Sequence, residues 1–359
     1  MVTNDSAVPF RLAVLGVDHP HGAHWRELLG HFPETIEVVG IVPAFDGATA
    51  SLEERYADVP RFESLEQLLE RHAFDGTLVC LPSVDTPDAI ARLARAGKHV
   101  LVEKPCAVSA EQFRPAYEAV RDAGVAFQNG YLWRYDDCAD RLRRMARERQ
   151  FGKLISVEMT YVTSDAARRG PDHYLFDPRQ SGGGYFHWLG CHYLDLVRYI
   201  TGEAIVGVTA RIGVFGDTPL EVEDGGTVLL DLEQGGLVTL TGGYWIPRWA
   251  GETRWTLRGS RRWVQWEPSR PGTSGALSIH GPQPQWHAME DSYVAPADST
   301  VGYGGRRGVD LISDWLESAR GGRLCRNSIE STLATLQMLD TIYLSAREQR
   351  RIACHVSAD

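Results

Sequence analysis

Glu103 and Lys104 stand side by side where an apolar run ending in Leu101 and Val102 stops, and Pro105 follows at once. A buried strand is ordinarily apolar up to its turn, so a carboxylate and an ammonium at its mouth mark a place for chemistry. Desolvation or a neighbouring cation can lower the pKa of such a lysine, which then accepts the proton of a hydroxyl. Glu103 would hold the lysine in place or contact a cofactor.

Two other stretches carry groups that can react or bind. "GVDHPHGAH", 16–24, follows a short apolar run and contains Gly16, Asp18, His19 and His21. A dinucleotide turn wants Gly-x-Gly-x-x-Gly, because the glycines allow a tight turn and bring backbone N–H groups to a pyrophosphate at a helix start. Gly16 meets that pattern, whereas Asp18 and His21 occupy the second and third glycine positions. A carboxylate near a pyrophosphate is unfavourable unless it points away or is neutralised. His19 or His21 can supply the positive charge or bind the phosphate directly. The plainer alternative is a variant turn whose side chains cap the helix.

"SGGGYFHWLGCHYLDL", 181–196, brings three glycines up to a helix with His187, His192 and Asp195. His192 and Asp195 are spaced i,i+3 and share a face. Histidine works as an acid or base near neutral pH. The neighbouring glycines signal close approach of a ligand or of backbone, while the plainer reading of a lone histidine is a satisfied core residue. His187 and His192 are five apart, about 140° around a straight helix. His19 and His21 are two apart on a loop and can chelate. No complete ligand set emerges, and no metal is expected. The position that carries a ribose-binding acid in NAD enzymes is Pro43 here, with Asp46 three residues on, so NAD and NADP stay undistinguished.

The elements that must position these residues follow from periodicity. Apolar runs at 10–16, 36–42 and 76–82 alternate with helical patterns at 22–32 and 64–72; 86–103 reads as a helix stopped at Gly97 and then a strand, and 109–130 repeats that pattern. That alternation predicts βαβ units and a mainly parallel, doubly wound sheet over residues 1–127. Ligands of such sheets bind outside the carboxyl ends of the strands. Gly16–His21, Leu81 with Pro82, and Glu103–Pro105 then share one rim. From residue 128 to 359 the texture changes to α+β. A helix at 140–150 and the helix near 190–202 flank alternating runs that lie close together, and "EQGG" reads as a hairpin turn. A large, mostly antiparallel open sheet is expected, with late helices at 308–322 and 328–349 packing back toward the first domain.

The bulk numbers exclude several classes. The 359 residues suit two domains. A net charge of −10 disfavours nucleic acid as partner, and the Arg-rich 141–149 stretch reads as a solvated helix face. No window reaches a membrane span of about 20 apolar residues, and "MVTNDSAVPFR" lacks the features of a signal peptide. Six scattered cysteines fit a reducing cytoplasm.

"AGKHVLVEKPCAVSAEQ", 96–112, followed by "GGGYFHWLGCHYLDLVRYITG", 182–202, resembles the Gfo/Idh/MocA oxidoreductases, as do "NGYLWRYD" at 129–136 and the late "NSIEST". The resemblance implies a Rossmann domain plus an α/β domain whose open sheet often serves oligomerisation, here as a dimer or tetramer. It implies hydride transfer between NAD or NADP and a hydroxyl-bearing carbon of a sugar, polyol or glycoside. Lys104 matches the family's lysine, which orients substrate and cofactor and helps move the hydroxyl proton; His192 matches its histidine, an acid–base group at the substrate, and Arg134 its arginine after the Rossmann domain, expected to meet substrate. The family's "D-x-G-x-H" aspartate is replaced by Trp188, with His187 beside it as a substitute. Trp188 is expected to line the substrate pocket, while Trp245, Trp249, Trp255, Trp263 and Trp266 either offer faces to a sugar or cover an oligomer interface. Two other readings follow from the altered signatures: a glycoside-cleaving enzyme that recycles its bound cofactor, and a catalytically silent ligand-binding homologue.

Overall fold

A computed structural model describes residues 8–17, 19–43, 55–164, 166–247, 251–282 and 289–358. Asp18, Asp46 and Trp249 lie outside the described residues. The chain clusters into two compact units.

The first unit comprises the chain up to Ala107, Glu111–Leu132 and Ser299–Glu330. Its sheet is parallel and five-stranded: β1 Phe10–Leu15, β2 Ile36–Val42, β3 Gly76–Val79, β4 His99–Val102 and β5 Phe127–Asn129. The spatial order is β2-β1-β3-β4-β5, so the winding reverses between β1 and β3. The strands are buried almost throughout, as a parallel sheet covered on both faces requires. The crossover helices carry local stop and start signals. Ser64 accepts from the Gln67 N–H at the head of Leu65–Arg71. Thr86–Arg95 has Pro87 at its start and Arg92 and Arg95 in its last turn, in keeping with the helix dipole. The late helix Arg306–Ala319 packs on β4 and β5, with the Gln128 amide donating to Leu311 O at 3.1 Å.

The second unit comprises Val108–Ala110, Trp133–Asp298 and Ser331–Asp359. Its sheet has the order β13-β12-β11-β10-β6-β9-β8-β7-β14. The strands are β6 Leu154–Ser164, β7 Ile205–Gly213, β8 Gly225–Leu232, β9 Leu237–Ile246, β10 Gly251–Gly259, β11 Trp263–Glu267, β12 Ala276–His280, β13 Met289–Val294 and β14 Ile352–Val356. The pair β6·β9 is parallel and the other neighbours are antiparallel. The predicted hairpin at "EQGG" joins β8 to β9, with Gly235 at φ +86°, a value that glycine adopts without cost.

Alternation sorts the tryptophans. Trp255 pairs with Met159 and Trp266, and both indoles are fully buried, with Tyr193 of the helix Cys191–Thr201 5.0 Å from Trp255. Trp263, three residues before Trp266 on β11, stacks on its cross-strand partner His280 at 3.8 Å. Trp245 remains half-exposed and lines a cavity of about 640 Å³ with Arg211, Phe215, Asp224 and Tyr244.

Candidate functional site

The first unit gathers its predicted residues at the carboxyl ends of β1, β3 and β4. Gly16 ends β1 at φ +86°, and a Cβ there would stand 2.3 Å from Cys80 O. The helix Gly22–Leu29 then begins with His21 at its cap position and no side-chain cap hydrogen bond. Gly22, which the fingerprint comparison passes over, is equally constrained: a Cβ would lie 2.6 Å from Val17 O. The turn is thus a Gly-x₅-Gly loop, one residue longer than the standard spacing. Leu81 borders it, its Cδ2 3.2 Å from the Gly16 Cβ position, and Pro82 O accepts from the Thr86 hydroxyl at 2.8 Å.

Glu103 and Lys104 follow β4 and are both buried, Lys104 at 1% exposure. Lys104 Nζ is 3.9 Å from Glu103 Oε1, close enough for charge attraction and too far for a hydrogen bond. The same oxygen meets His21 Nδ1 at 3.2 Å, and the Trp25 indole N–H donates to Oε2. His21 also stacks on Tyr303, with ring centroids 4.4 Å apart. Burial pushes the Glu103 carboxyl up, but His21, with His19 and Lys104 adding to it, outweighs burial and brings its pKa to about 2. Trp25 and Tyr303 belong to no motif that marks them as site residues in the sequence.

This rim fits a dinucleotide. Two glycines hold the backbone bare where a side chain would clash, and a helix start stands beside them. His21, at the third glycine position, and His19 beside it offer ring N–H donors, which suit a pyrophosphate.

The second unit holds the remaining predicted residues. His187 and Trp188 lie in a π-helical turn, Phe186–Gly190, that runs into the helix Cys191–Thr201. The 140° separation expected for His187 and His192 assumes 3.6 residues per turn and does not hold across this wider turn. His187 is buried, its ring 5.4 Å from Tyr343, and burial pushes its pKa down to about 4, so the imidazole is neutral. Trp188 is 4% exposed, with the Arg169 guanidinium 5.8 Å from its ring centre. His192 occupies the first turn of its helix, and Asp195 shares its face as expected.

Asp195 is gripped by Arg134. The guanidinium donates from Nε and Nη2 to the two carboxylate oxygens, each at 2.7 Å, and both side chains are buried. Nη2 also donates to Ser331 Oγ, and the Thr335 hydroxyl donates to Asp195 Oδ1 at 3.1 Å. Arg134, expected to meet substrate, therefore has its fork taken by the chain's own carboxylate.

Of the two reasons the clustering of glycines 182–184 suggests, a ligand or the chain itself close by, the structure shows the second. A Cβ on Gly183 would stand 2.0 Å from Tyr343 Oη, and one on Gly184 would stand 1.9 Å from Glu223 O. Glu223 accepts from Gly184 N–H at 2.9 Å, from Phe186 N–H at 3.0 Å and from the Tyr343 hydroxyl at 2.7 Å. Close approach here is between parts of the protein. Gly184→Ala is expected to destabilise the fold by about 1–3 kcal/mol, the usual range for overpacking; a urea midpoint equal to that of the wild type would contradict this.

Comparison with known proteins follows this division. Residues 10–131 match the model of the oxidoreductase family with an NAD-binding Rossmann fold, and residues 139–265 match that of the GFO/IDH/MocA C-terminal domain. Inositol 2-dehydrogenase of Rhizobium meliloti is 27% identical over 208 residues, 58% of this chain and 59% of that enzyme. The chain therefore aligns with about three-fifths of that relative's length. A dTDP-3,4-didehydro-2,6-dideoxy-alpha-D-glucose 3-reductase of Actinomadura kijaniata is 26% identical over 348 residues, 96% of this chain and 97% of that one. Levoglucosan dehydrogenase in complex with NADH superposes with a TM-score of 0.83 at 17% identity, covering 98% of this chain and all of the other, which shows a shared fold.

Proposed function

The chain belongs to the Gfo/Idh/MocA oxidoreductases, and from that premise we propose that it is an NAD- or NADP-dependent dehydrogenase or reductase of a sugar or polyol. The observation that carries the reading is the buried Lys104 beside Glu103, at the rim of a parallel sheet whose first turn is bared by Gly16 and Gly22. Sugar- and polyol-acting relatives support the substrate class.

Bound at this rim, a nicotinamide would supply the hydride acceptor or donor. The chain's own residues do the rest. The Gly16–Gly22 turn holds the pyrophosphate with backbone N–H groups and the His19 and His21 side chains, and Leu81 and Pro82 flank it. Lys104 binds the reacting hydroxyl and takes its proton on oxidation, or returns it on reduction. Glu103, fixed by Trp25 and His21, keeps Lys104 in place by charge. In the second unit His192 serves as a further acid or base toward the substrate. Arg134 acts by holding Asp195, and neutral His187 stands in the core of that unit. No described helix is long and apolar enough to cross a membrane.

Titration with NADH and NADPH, followed by nicotinamide fluorescence, tests the reading first. Micromolar binding of one or both is expected, with at least about a tenfold loss in Gly16→Ala, because alanine pays both the positive-φ cost and a backbone clash. No binding by wild-type protein would remove the dehydrogenase reading. A second reading rests on Trp188 in the place of the family's aspartate: transient oxidation, then cleavage of a glycoside, with the cofactor recycled. Aglycone release without net NADH would favour it; substrate-dependent NADH accumulation would exclude it.

A further inference from the structure

His19, His21 and Glu103 bring two imidazoles and a carboxylate together within the first unit, with one ligand atom from each lying within 4.8 Å of the others. We propose that these three side chains bind a single divalent transition-metal cation of the zinc class. The inference stands on this geometry and does not depend on the dehydrogenase reading.

Nitrogen and carboxylate donors hold such an ion at about 2.0–2.2 Å, which in tetrahedral geometry separates neighbouring donors by roughly 3.3 Å. His21 Nδ1 and Glu103 Oε1 already stand 3.2 Å apart. His19 Nδ1 accepts the His21 backbone N–H at 3.2 Å, so ligation through that nitrogen exchanges this hydrogen bond for the ion, while ligation through Nε2 keeps it. The His19 ring has to turn to bring the third donor from within 4.8 Å to this spacing. His19 and Glu103 are buried, while His21 is partly exposed and leaves a path for the ion.

The supporting contacts are those a metal ligand set needs. Trp25 donates to Glu103 Oε2 and leaves Oε1 facing His21, and Tyr303 fixes the His21 ring by stacking. Such outer contacts orient ligands and are felt in metal affinity. In the metal-free protein His21 and Glu103 share the 3.2 Å contact; a cation displaces the intervening proton, which leaves to solvent. Lys104 Nζ, 3.9 Å from the same oxygen, is a positive neighbour that opposes the cation. Three protein ligands leave a coordination position open to an oxygen of water or of a bound ligand. The donor types favour zinc, cobalt or nickel over magnesium or calcium, which prefer all-oxygen sites.

Chelator-stripped, full-length protein would be titrated with Co²⁺ and followed by visible absorption, then exchanged with Zn²⁺ and assayed for retained metal after gel filtration. The expected result is one retained equivalent with cobalt d–d bands, and at least about a tenfold weaker affinity in His19→Asn and in His21→Asn. His24→Asn, in the helix that follows the turn but exposed and paired with Glu27, should retain the ion as wild type does. Glu103→Gln gives a third, near-isosteric arm, and circular dichroism checks that each variant folds. Failure of wild-type protein to retain metal, or equal retention by both histidine variants, would overturn the proposal. NADH binding measured on the same stripped protein reports separately on the dinucleotide site.

Discussion

Lys104→Met is expected to lower kcat/KM for the best sugar or polyol substrate by about 10²–10⁴-fold, the range spanned by a positioned acid–base group. NADH affinity should change far less. The substitution is chosen for its shape. Lys104 is 1% exposed, so alanine would leave a cavity as well as remove a charge, whereas methionine fills nearly the same volume. The loss of the ammonium does not strand Glu103, which keeps the His21 contact and the Trp25 N–H. Folding and cofactor binding should therefore survive, and the defect should sit in the chemical step. Steady-state rates with wild-type and variant protein, alongside the NADH titration, check this. An unchanged kcat/KM would take Lys104 out of the chemistry, and a matched loss of NADH affinity would make it a cofactor residue instead.

What made Lys104 legible was the abrupt end of an apolar strand, a signal contained within six residues. The alternation of strands and helices around it was legible for the same reason, since helix and strand periods alternate locally along 10–129. The turn at Gly16 was half legible. Its first glycine stands where the fingerprint puts it, but the loop is one residue longer, so Gly22 rather than residue 21 takes the close contact with Val17 O. Elsewhere the sequence left alternatives open. Glycines 182–184 mark close approach of a ligand or of backbone, and the residues that decide for the chain itself, Val108, Glu223 and Tyr343, are too distant in the chain for any local pattern to reveal. The π-turn at Phe186–Gly190 leaves no mark in a count of 3.6-residue spacings. The metal donor set needed Glu103 beside His21, 82 positions away. In each case the missing information was a long-range contact, and helix or strand periodicity carries none.

The second large effect concerns the helix that carries His192. Asp195→Leu and Arg134→Met are each expected to destabilise the second unit by about 3–5 kcal/mol, because each leaves the other charge buried without its main partner. The pair has no solvent to fall back on: both side chains are at most 1% exposed, and the guanidinium lies 5.0 Å from the Tyr199 ring centre. The double variant Arg134→Met/Asp195→Leu should recover most of that loss, since well-packed apolar pairs replace buried ion pairs at little cost. Urea unfolding of the three variants, read as a double-mutant cycle, measures the coupling. Single losses below about 1 kcal/mol would show that the ion pair is not what holds the helix. The consequence for activity follows from the spacing. Asp195 sits one turn beyond His192, and Arg198, one turn further, binds Ser357 O and Ser331 O. Successive turns of this helix are thus tied to the C-terminal segment, which fixes the position of the helix face from which His192 projects. Asp195→Leu should accordingly lower turnover beyond what its unfolded fraction explains, and the double variant should restore stability more completely than it restores rate.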